Sequence, residues 1–304
     1  MTSPEHDHDH DHAGSDQAGS VALLGLGLMG YALADTLLAA GHPMTVWNRS
    51  TGKGADLIGR GARRAASAGE AIAASSLVIV CITDNNAVRE LVQPLAAELR
   101  GRTLINLTSG SSSEAGDISG WAAQHEIAYV DGAVLAAPDG IGTDEAAILY
   151  SGDRDAIDQH NSVLRKLGTP TFLGNDPGLA APHDVAVLGM MWNILNAFLH
   201  AAALLQSAGV SATALAPVLE GGIATTTGWL AGYAEQIDAG AFPGDDATIA
   251  THLAAMTQLI DESSARGVST DLPRQIKAVA DRAVAEGLGR SSYAAMISQF
   301  RSPE

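Results

Sequence analysis

At 304 residues the chain is long for one domain and fits two. With 46% hydrophobic and 17% charged residues it can bury a core, and its 4% aromatic content favours closely packed helices over a β-sandwich. A net charge of −17 works against nucleic acid as a partner, because polyphosphate is repelled. The single cysteine, Cys81, excludes an intramolecular disulfide and a Cys-rich zinc site, and no metal centre is expected. Gly, Asn and His punctuate the apolar stretches, so no run is expected to approach the ~18–20 apolar residues of a membrane span. The N-terminus lacks the basic start and apolar core of a signal peptide. The expectation is a cytoplasmic protein with no membrane association.

Residues 1–19 read as a disordered tail, with four His interleaved with Asp and no Lys or Arg. Metal capture is the alternative reading of that tract. Removing the five acids of the first twenty residues leaves the rest of the chain at −12, so its acidity is not a property of the tail alone.

From Ser20 the pattern alternates strand, Gly-rich turn, helix and strand. Val21–Leu24 is a short apolar run. Tyr31–Ala40 reads as a helix closed by Gly41 and Pro43, and Met44–Trp47 as the second strand. Ser67 and Glu70 have capping-box spacing ahead of a short helix. Leu77–Ile82 is the continuous apolar run of a strand covered on both faces. Thr103–Leu107 and Ala128–Val130 look like strands, with Ala146–Ser151 and Thr171–Leu173 as weaker candidates. This alternation predicts an α/β fold, a doubly wound parallel sheet of the Rossmann type, over residues 20–176.

Residues 177–304 predict an all-α domain, joined to the first by a long helix over about 178–207. Thirty helical residues span about 45 Å. That helix is apolar nearly all round, so burial from several sides is expected. Further helices are expected near 211–219, 225–238, 246–265 and 271–286.

The strongest motif is Gly25-Leu26-Gly27-Leu28-Met29-Gly30, between a predicted strand and a predicted helix. Gly25 permits the tight turn, Gly27 admits a pyrophosphate to the backbone, and Gly30 allows close helix–strand packing. An enzyme for NAD places an acid at the end of the second strand. Here that end reads Asn48-Arg49-Ser50, with Lys53 one turn later. Arg49 offers a bidentate contact to a 2′-phosphate, Ser50 a hydrogen bond and Lys53 a point charge, which selects NADPH. The alternative for Arg49 and Lys53 is a solvated surface pair. Cys81, Ile82 and Thr83 end another strand where backbone borders the adenosine ribose. Cys81 itself reads as a buried small hydrophobe rather than a reactive thiol. Thr108 and Ser109 end the next strand and are expected near the nicotinamide.

Asp184 opens the most apolar helix in the chain. One reading is a first-turn carboxylate favoured by the helix dipole; the other is a carboxylate facing the cofactor. His183 beside it is either a proton relay or a satisfied polar residue at the helix start. The three lysines are Lys53, Lys166 and Lys277, so none lies near Asp184 in sequence. Carbonyl reduction needs a donor that stabilises an alkoxide, which an ionised Asp repels. The same anion attracts a cationic iminium, so the sign of the charge separates two reactions on one scaffold.

These residues resemble the imine reductases, including the reductive aminases, relatives of the β-hydroxyacid dehydrogenases. The resemblance rests on GLGLMG at 25–30, WNRS with Lys53 at 47–53, NLTSG at 106–110, DGAVLAAPDGIG at 131–142 and the segment at 174–205. In the dehydrogenase branch a catalytic Lys opens the long helix and an Asn follows one turn later; here those positions hold Asp184 and Leu188. The resemblance implies NADPH-dependent reduction of cyclic imines, with reductive amination of ketones as a further activity. It places the catalytic role on Asp184, as proton donor or iminium anchor. It also implies a homodimer whose active sites are shared between chains. Met191 and Trp192 would face the cleft or pack in the core or the dimer interface, and His252 and Met256 would close the site from the partner chain. Trp229 and Tyr233 read as core. Ala137, together with Asp184, resembles the subgroup that gives R products. A β-hydroxyacid dehydrogenase with an unusual acid and a non-catalytic NADP(H)-binding protein are the alternatives.

Overall fold

A computed structural model describes residues 19–301. The His/Asp-rich tract read as a tail therefore lies outside the described residues, apart from Gly19. The eight strands are β1 (Val21–Leu24), β2 (Met44–Trp47), β3 (Arg63–Arg64), β4 (Leu77–Val80), β5 (Thr103–Asn106), β6 (Ala128–Leu135), β7 (Ala147–Gly152) and β8 (Thr169–Gly174). They form one sheet in the order β3-β2-β1-β4-β5-β6-β7-β8. Between and around them run α1 (Leu28–Ala39), α2 (Ala55–Gly59), α3 (Ala68–Ala73), α4 (Asn85–Val92), α5 (Ala96–Leu99), α6 (Ser112–Gln124) and α7 (Arg154–Leu167).

Alternate strand residues feed two separate cores, as a sheet covered on both faces requires. Val21 and Leu23 of β1, with Leu77 and Ile79 of β4, pack beneath Leu33 and Leu37 of α1 and Val163, Leu164 and Leu167 of α7. Ala22, Leu24, Val78 and Val80 pack on the other side with Ile72, Val88, Val92 and Ile118. The strand order reverses between β1 and β4, which opens a crevice at their carboxyl ends.

The parallel sheet predicted from sequence has one exception. β6 and β7 pair antiparallel over six residues, Val130–Leu135 against Gly152–Ala147, so β6 runs well past the expected Val130. β3 was not expected; two arginines at a sheet edge carry no apolar signal. α1 begins at Leu28, earlier than expected, because Gly27 serves as its N-cap. Ser67 caps α3 as predicted, accepting from the Glu70 amide at 3.1 Å.

The long helix α8 covers Ala180–Gln206, after one 3-10 turn at Pro177–Leu179. It is followed by α9 (Ala212–Thr227), α10 (Leu230–Ala239), α11 (Ile249–Ala265) and α12 (Asp271–Ala285). α9 runs through Gly221-Gly222, where a break was expected. The Thr225 and Thr226 hydroxyls bond back to the carbonyls of those two glycines at 3.0 and 2.9 Å. Two compact units result, one ending at Gly189 and one beginning at Met190, with the division inside α8. The second unit has its own small core of Ile249, Ala280, Ala283, Ala295 and Met296.

Two expectations about α8 are corrected. The stretch Pro177–Gln206 is long and apolar enough by length and composition to cross a membrane, because Gly189, Asn193 and His200 are too sparse to offset its aliphatic residues. Nor is it buried within the chain: Val185, Met190, Trp192, Leu195 and Leu199 are all exposed.

Candidate active site

The crevice at the sheet's reversal point is a cleft of about 550 Å³ lined by Gly25, Gly27, Leu28, Met29, Gly30, Asn48, Arg49, Ser50, Lys53, Cys81, Ile82 and Thr83. Twelve of the residues assigned to cofactor binding from sequence therefore share one cavity. The glycines have separate jobs. Gly25 has φ +106°, and a Cβ there would collide with the Cys81 carbonyl. A Cβ on Gly30 would strike the Gly25 carbonyl, so α1 can approach β1 only with glycine there. A Cβ on Gly27 meets nothing within 4 Å and would project into open space, where a pyrophosphate needs room. Gly27 also caps α1 without a side-chain acceptor, which leaves first-turn amides for an anion. The cleft fits a dinucleotide.

The end of β2 is held by two side chains. Asn48 Oδ1 accepts from the Leu26 amide at 2.9 Å, and Asn48 Nδ2 donates to the Ser50 carbonyl at 3.1 Å. Arg64, on the unexpected strand β3, donates to the Thr51 and Lys53 carbonyls, both at 2.8 Å. Leu26 is buried and reaches the cleft through this bond rather than as lining. Arg49 and Lys53 are exposed, and neither forms an ion pair among the described residues. Both cations thus remain for a phosphate. Sequence reading missed Trp47, Ala87, Glu90 and Leu91 as lining residues, because they belong to no phosphate-binding pattern.

Cys81 is a buried free thiol pushed up to about 11 by burial, in line with a packing role. Thr108 and Ser109 do not line the cleft. Thr108 is buried and accepts on Oγ1 from the Ile82 amide at 3.1 Å, one hydrogen bond from the cavity. Ser109 is exposed at the end of β5.

Asp184 is 5% exposed, and its Oδ2 has no hydrogen-bond partner among the described residues. An unpartnered carboxylate oxygen in such a place is costly unless something else meets it. It does not cap α8, which starts four residues earlier. A second buried acid, Asp131, lies nearby: its carboxyl is pushed up to about 7 by burial, and the Asp184 charge acts in the same direction. Tyr129 and Asn106 hydrogen-bond to Asp131 and oppose that rise. Sequence reading placed Asp131 only within a longer motif; Tyr129 stands two residues before it, but Asn106 lies 25 residues away, beyond what spacing reveals.

The remaining candidates divide between the units. His183 is exposed and donates through Nδ1 to the carbonyl of Leu179, in the 3-10 turn before α8, at 2.7 Å. Ala137 is exposed in a separate hollow with Ala136, Asp139 and Gly140. Met191, Trp192, His252 and Met256 belong to the second unit. There Met191 and Trp192 are exposed, Met256 packs on the small core, and the His252 ring lies 4.6 Å from that of Tyr293. Trp229, expected in the core, is half exposed, while Tyr233 is partly buried.

Residues 20–175 match the NAD-binding domain of 6-phosphogluconate dehydrogenase, and residues 176–302 match the NADPH-dependent reductive aminase-like C-terminal domain. The chain is 34% identical over 288 residues to an NADPH-dependent reductive aminase of Aspergillus oryzae, covering 92% of this chain and 97% of that protein. A reductive aminase from Aspergillus terreus, solved with NADPH and ethyl levulinate, superposes with a TM-score of 0.88 at 37% identity, over 93% of this chain and 100% of that one. An imine reductase from Streptomyces aurantiacus gives 0.89 at 31% identity, with the same coverage. The chain belongs to the family of NADPH-dependent imine reductases and reductive aminases.

Proposed function

We propose that the protein reduces cyclic imines and iminium ions to amines, with reductive amination of ketones as a related activity, and that Asp184 is the carboxylate presented to the reacting nitrogen. Its cofactor is NADPH and its reaction class is oxidoreduction at C=N. The observation that carries the assignment of Asp184 is its buried, unpartnered Oδ2 in a chain whose lysines lie elsewhere. A carboxylate there stabilises C=N⁺ and disfavours a developing alkoxide.

The Gly25–Gly30 turn would hold the pyrophosphate of the dinucleotide, and Arg49, Ser50 and Lys53 its 2′-phosphate. When bound, NADPH supplies a hydride to the C=N carbon. Asp184 holds the protonated nitrogen by charge, or gives it the proton. The charge on nitrogen makes the carbon electrophilic, and the buried setting of Asp184 keeps water from screening that interaction.

The natural assembly in this reading is a homodimer, supported by the apolar face of α8 that the single chain leaves exposed. Exposed apolar surface of this extent marks an interface. A second copy supplies the missing neighbours, and the cytoplasm is the compartment that fits this reading.

The test is NADPH consumption with 1-pyrroline, run beside oxidation of 3-hydroxy acids with NADP⁺. The expected result is turnover of the imine alone. Turnover of the hydroxy acids alone would assign the protein to dehydrogenase chemistry, and NADPH binding with no turnover of any imine would make it a binding protein.

A further inference from the structure

The segment between β2 and α2 carries Arg49, Ser50 and Lys53 on backbone that has little hold on itself. Glycines flank Lys53 on both sides, and Thr51, Gly52 and Lys53 are all exposed. Gly54 sits at φ +73° and caps α2 without a side-chain hydrogen bond. A turn with two glycines can take many shapes, and few of them aim Arg49, Ser50 and Lys53 at one phosphate. Three contacts from outside residues 50–54 restrict it. Asn48 ties the start, accepting from the Leu26 amide and donating to the Ser50 carbonyl. Gly54 closes the end against Leu26, whose Cδ1 would lie 2.7 Å from a Cβ there. Between them, Arg64 donates through Nη1 to the Thr51 carbonyl and through Nη2 to the Lys53 carbonyl, both at 2.8 Å. Those two carbonyls bracket Gly52 and Lys53, so one planar guanidinium spans the most permissive part of the turn.

Strand β3 places Arg64 for this contact. Its two residues pair with Thr45 and Val46 of β2, and the Ala65 amide continues the ladder to the Val46 carbonyl at 3.0 Å. Neighbours on a strand point to opposite faces, and the two arginines have different partners. Arg63 pairs with Glu70, whereas half-buried Arg64 forms no ion pair among the described residues. In a chain with 34 acidic and 17 basic residues, Arg64 is held by backbone carbonyls and not by a carboxylate. It does not line the cofactor cleft, so it reaches the dinucleotide only through the turn.

We propose that Arg64 is a positioning residue for the 2′-phosphate of NADPH: by clamping the Thr51 and Lys53 carbonyls it holds Arg49, Ser50 and Lys53 in the arrangement that accepts a phosphomonoester. Preference for NADPH over NADH then depends on a side chain that does not meet the cofactor. This rests on the reading that Arg49, Ser50 and Lys53 bind that phosphate. A turn already in shape binds the phosphate directly, whereas a loosened one must be ordered by the ligand at a cost in affinity. NADH carries a 2′-hydroxyl and makes no such demand, and the pyrophosphate turn at Gly25–Gly30 has its own glycine packing.

The experiment is a fluorescence titration of the full-length protein with NADPH and, separately, with NADH. Arg64→Ala should weaken NADPH binding by about 10-fold, as for loss of hydrogen bonds from a charged donor, and leave NADH within about twofold. An equal loss for both dinucleotides marks a merely structural residue and overturns the proposal, as does an unchanged NADPH affinity. Arg63→Ala removes a cation from the adjacent position and should leave both affinities unchanged. A loss there as large as that of Arg64→Ala marks a general effect of charge and contradicts the clamp. Action through the turn is read in an Arg49→Ala background. There the further effect of Arg64→Ala on NADPH should shrink to about threefold or less, because the side chain it positions is gone. A fully additive loss would make Arg64 an independent cation and overturn its positioning role. Arg49→Ala that binds NADPH as tightly as the wild type would sink the reading of the phosphate site itself. A weakened Arg49→Ala beside an unaffected Arg64→Ala would sink the clamp alone.

Discussion

The first unit hides its apolar residues on both faces of an eight-stranded sheet, and its largest side chains are fully buried. The second, beginning at Met190, has five buried residues in its core and shows solvent Trp192 at 56% and Leu199 at 63% exposure. The contrast is between a layer architecture that satisfies itself and helices that leave large apolar side chains exposed. Cofactor chemistry resides in the self-sufficient half. The exposed half is where the proposed assembly would be decided.

The strongest challenge to that contrast is a charge on the exposed face of α8. Leu199→Glu should leave the first unit folded and able to bind NADPH, yet convert a dimer to monomers, because an unpaired buried charge costs several kcal/mol. Light scattering reads the mass. A variant that stays dimeric, or a wild type that is monomeric, would break the comparison.

Within the first unit, Arg49→Ala should weaken NADPH binding by roughly 10- to 100-fold while affecting NADH far less, as expected for loss of a charge-assisted phosphate contact. Fluorescence titration checks it. The same loss in the Leu199→Glu background would sharpen the point, because cofactor recognition would then be independent of assembly.

A smaller effect tests how burial is organised around β6. Asp131 has a folded value of about 7 against an ordinary 3.8, so the folded state binds its proton more tightly than the unfolded chain. Its contribution therefore favours folding at acidic pH, declines as pH rises from about 4 to about 7, and is then constant. Asp131→Asn removes that decline. Each pH unit is worth about 1.4 kcal/mol, so the variant should melt several degrees above the wild type at pH 8 and close to it at pH 4.5. Calorimetry at the two pH values decides.

The sheet was largely legible in the sequence because strands covered on both faces must be continuously apolar, as Leu77–Val80 is. The cofactor loop was legible because Gly25 and Gly30 sit where no Cβ fits. β3 was not, since Arg63 and Arg64 pair through backbone alone. The length of β6 was hidden by Asp131-Gly132, a pair with turn chemistry; here Gly132 lies within the strand, where a Cβ would crowd the Leu107 side chain at 2.7 Å and the Leu149 carbonyl at 3.0 Å. The apolar character of α8 was plain, but its neighbours were not, because periodicity records that a face wants cover and not what covers it. Asp131 went unassigned because its partner Asn106, and the Asn85 that Asn106 in turn bonds, lie 25 and 46 residues away in the chain. Only folding brings them together.

The direct test of the whole reading is turnover of a neutral cyclic imine by Asp184→Asn, with NADPH affinity measured on the same sample. If the carboxylate confronts the C=N group, kcat should fall by about 100-fold or more with the cofactor's Kd unchanged. Undiminished turnover would contradict it.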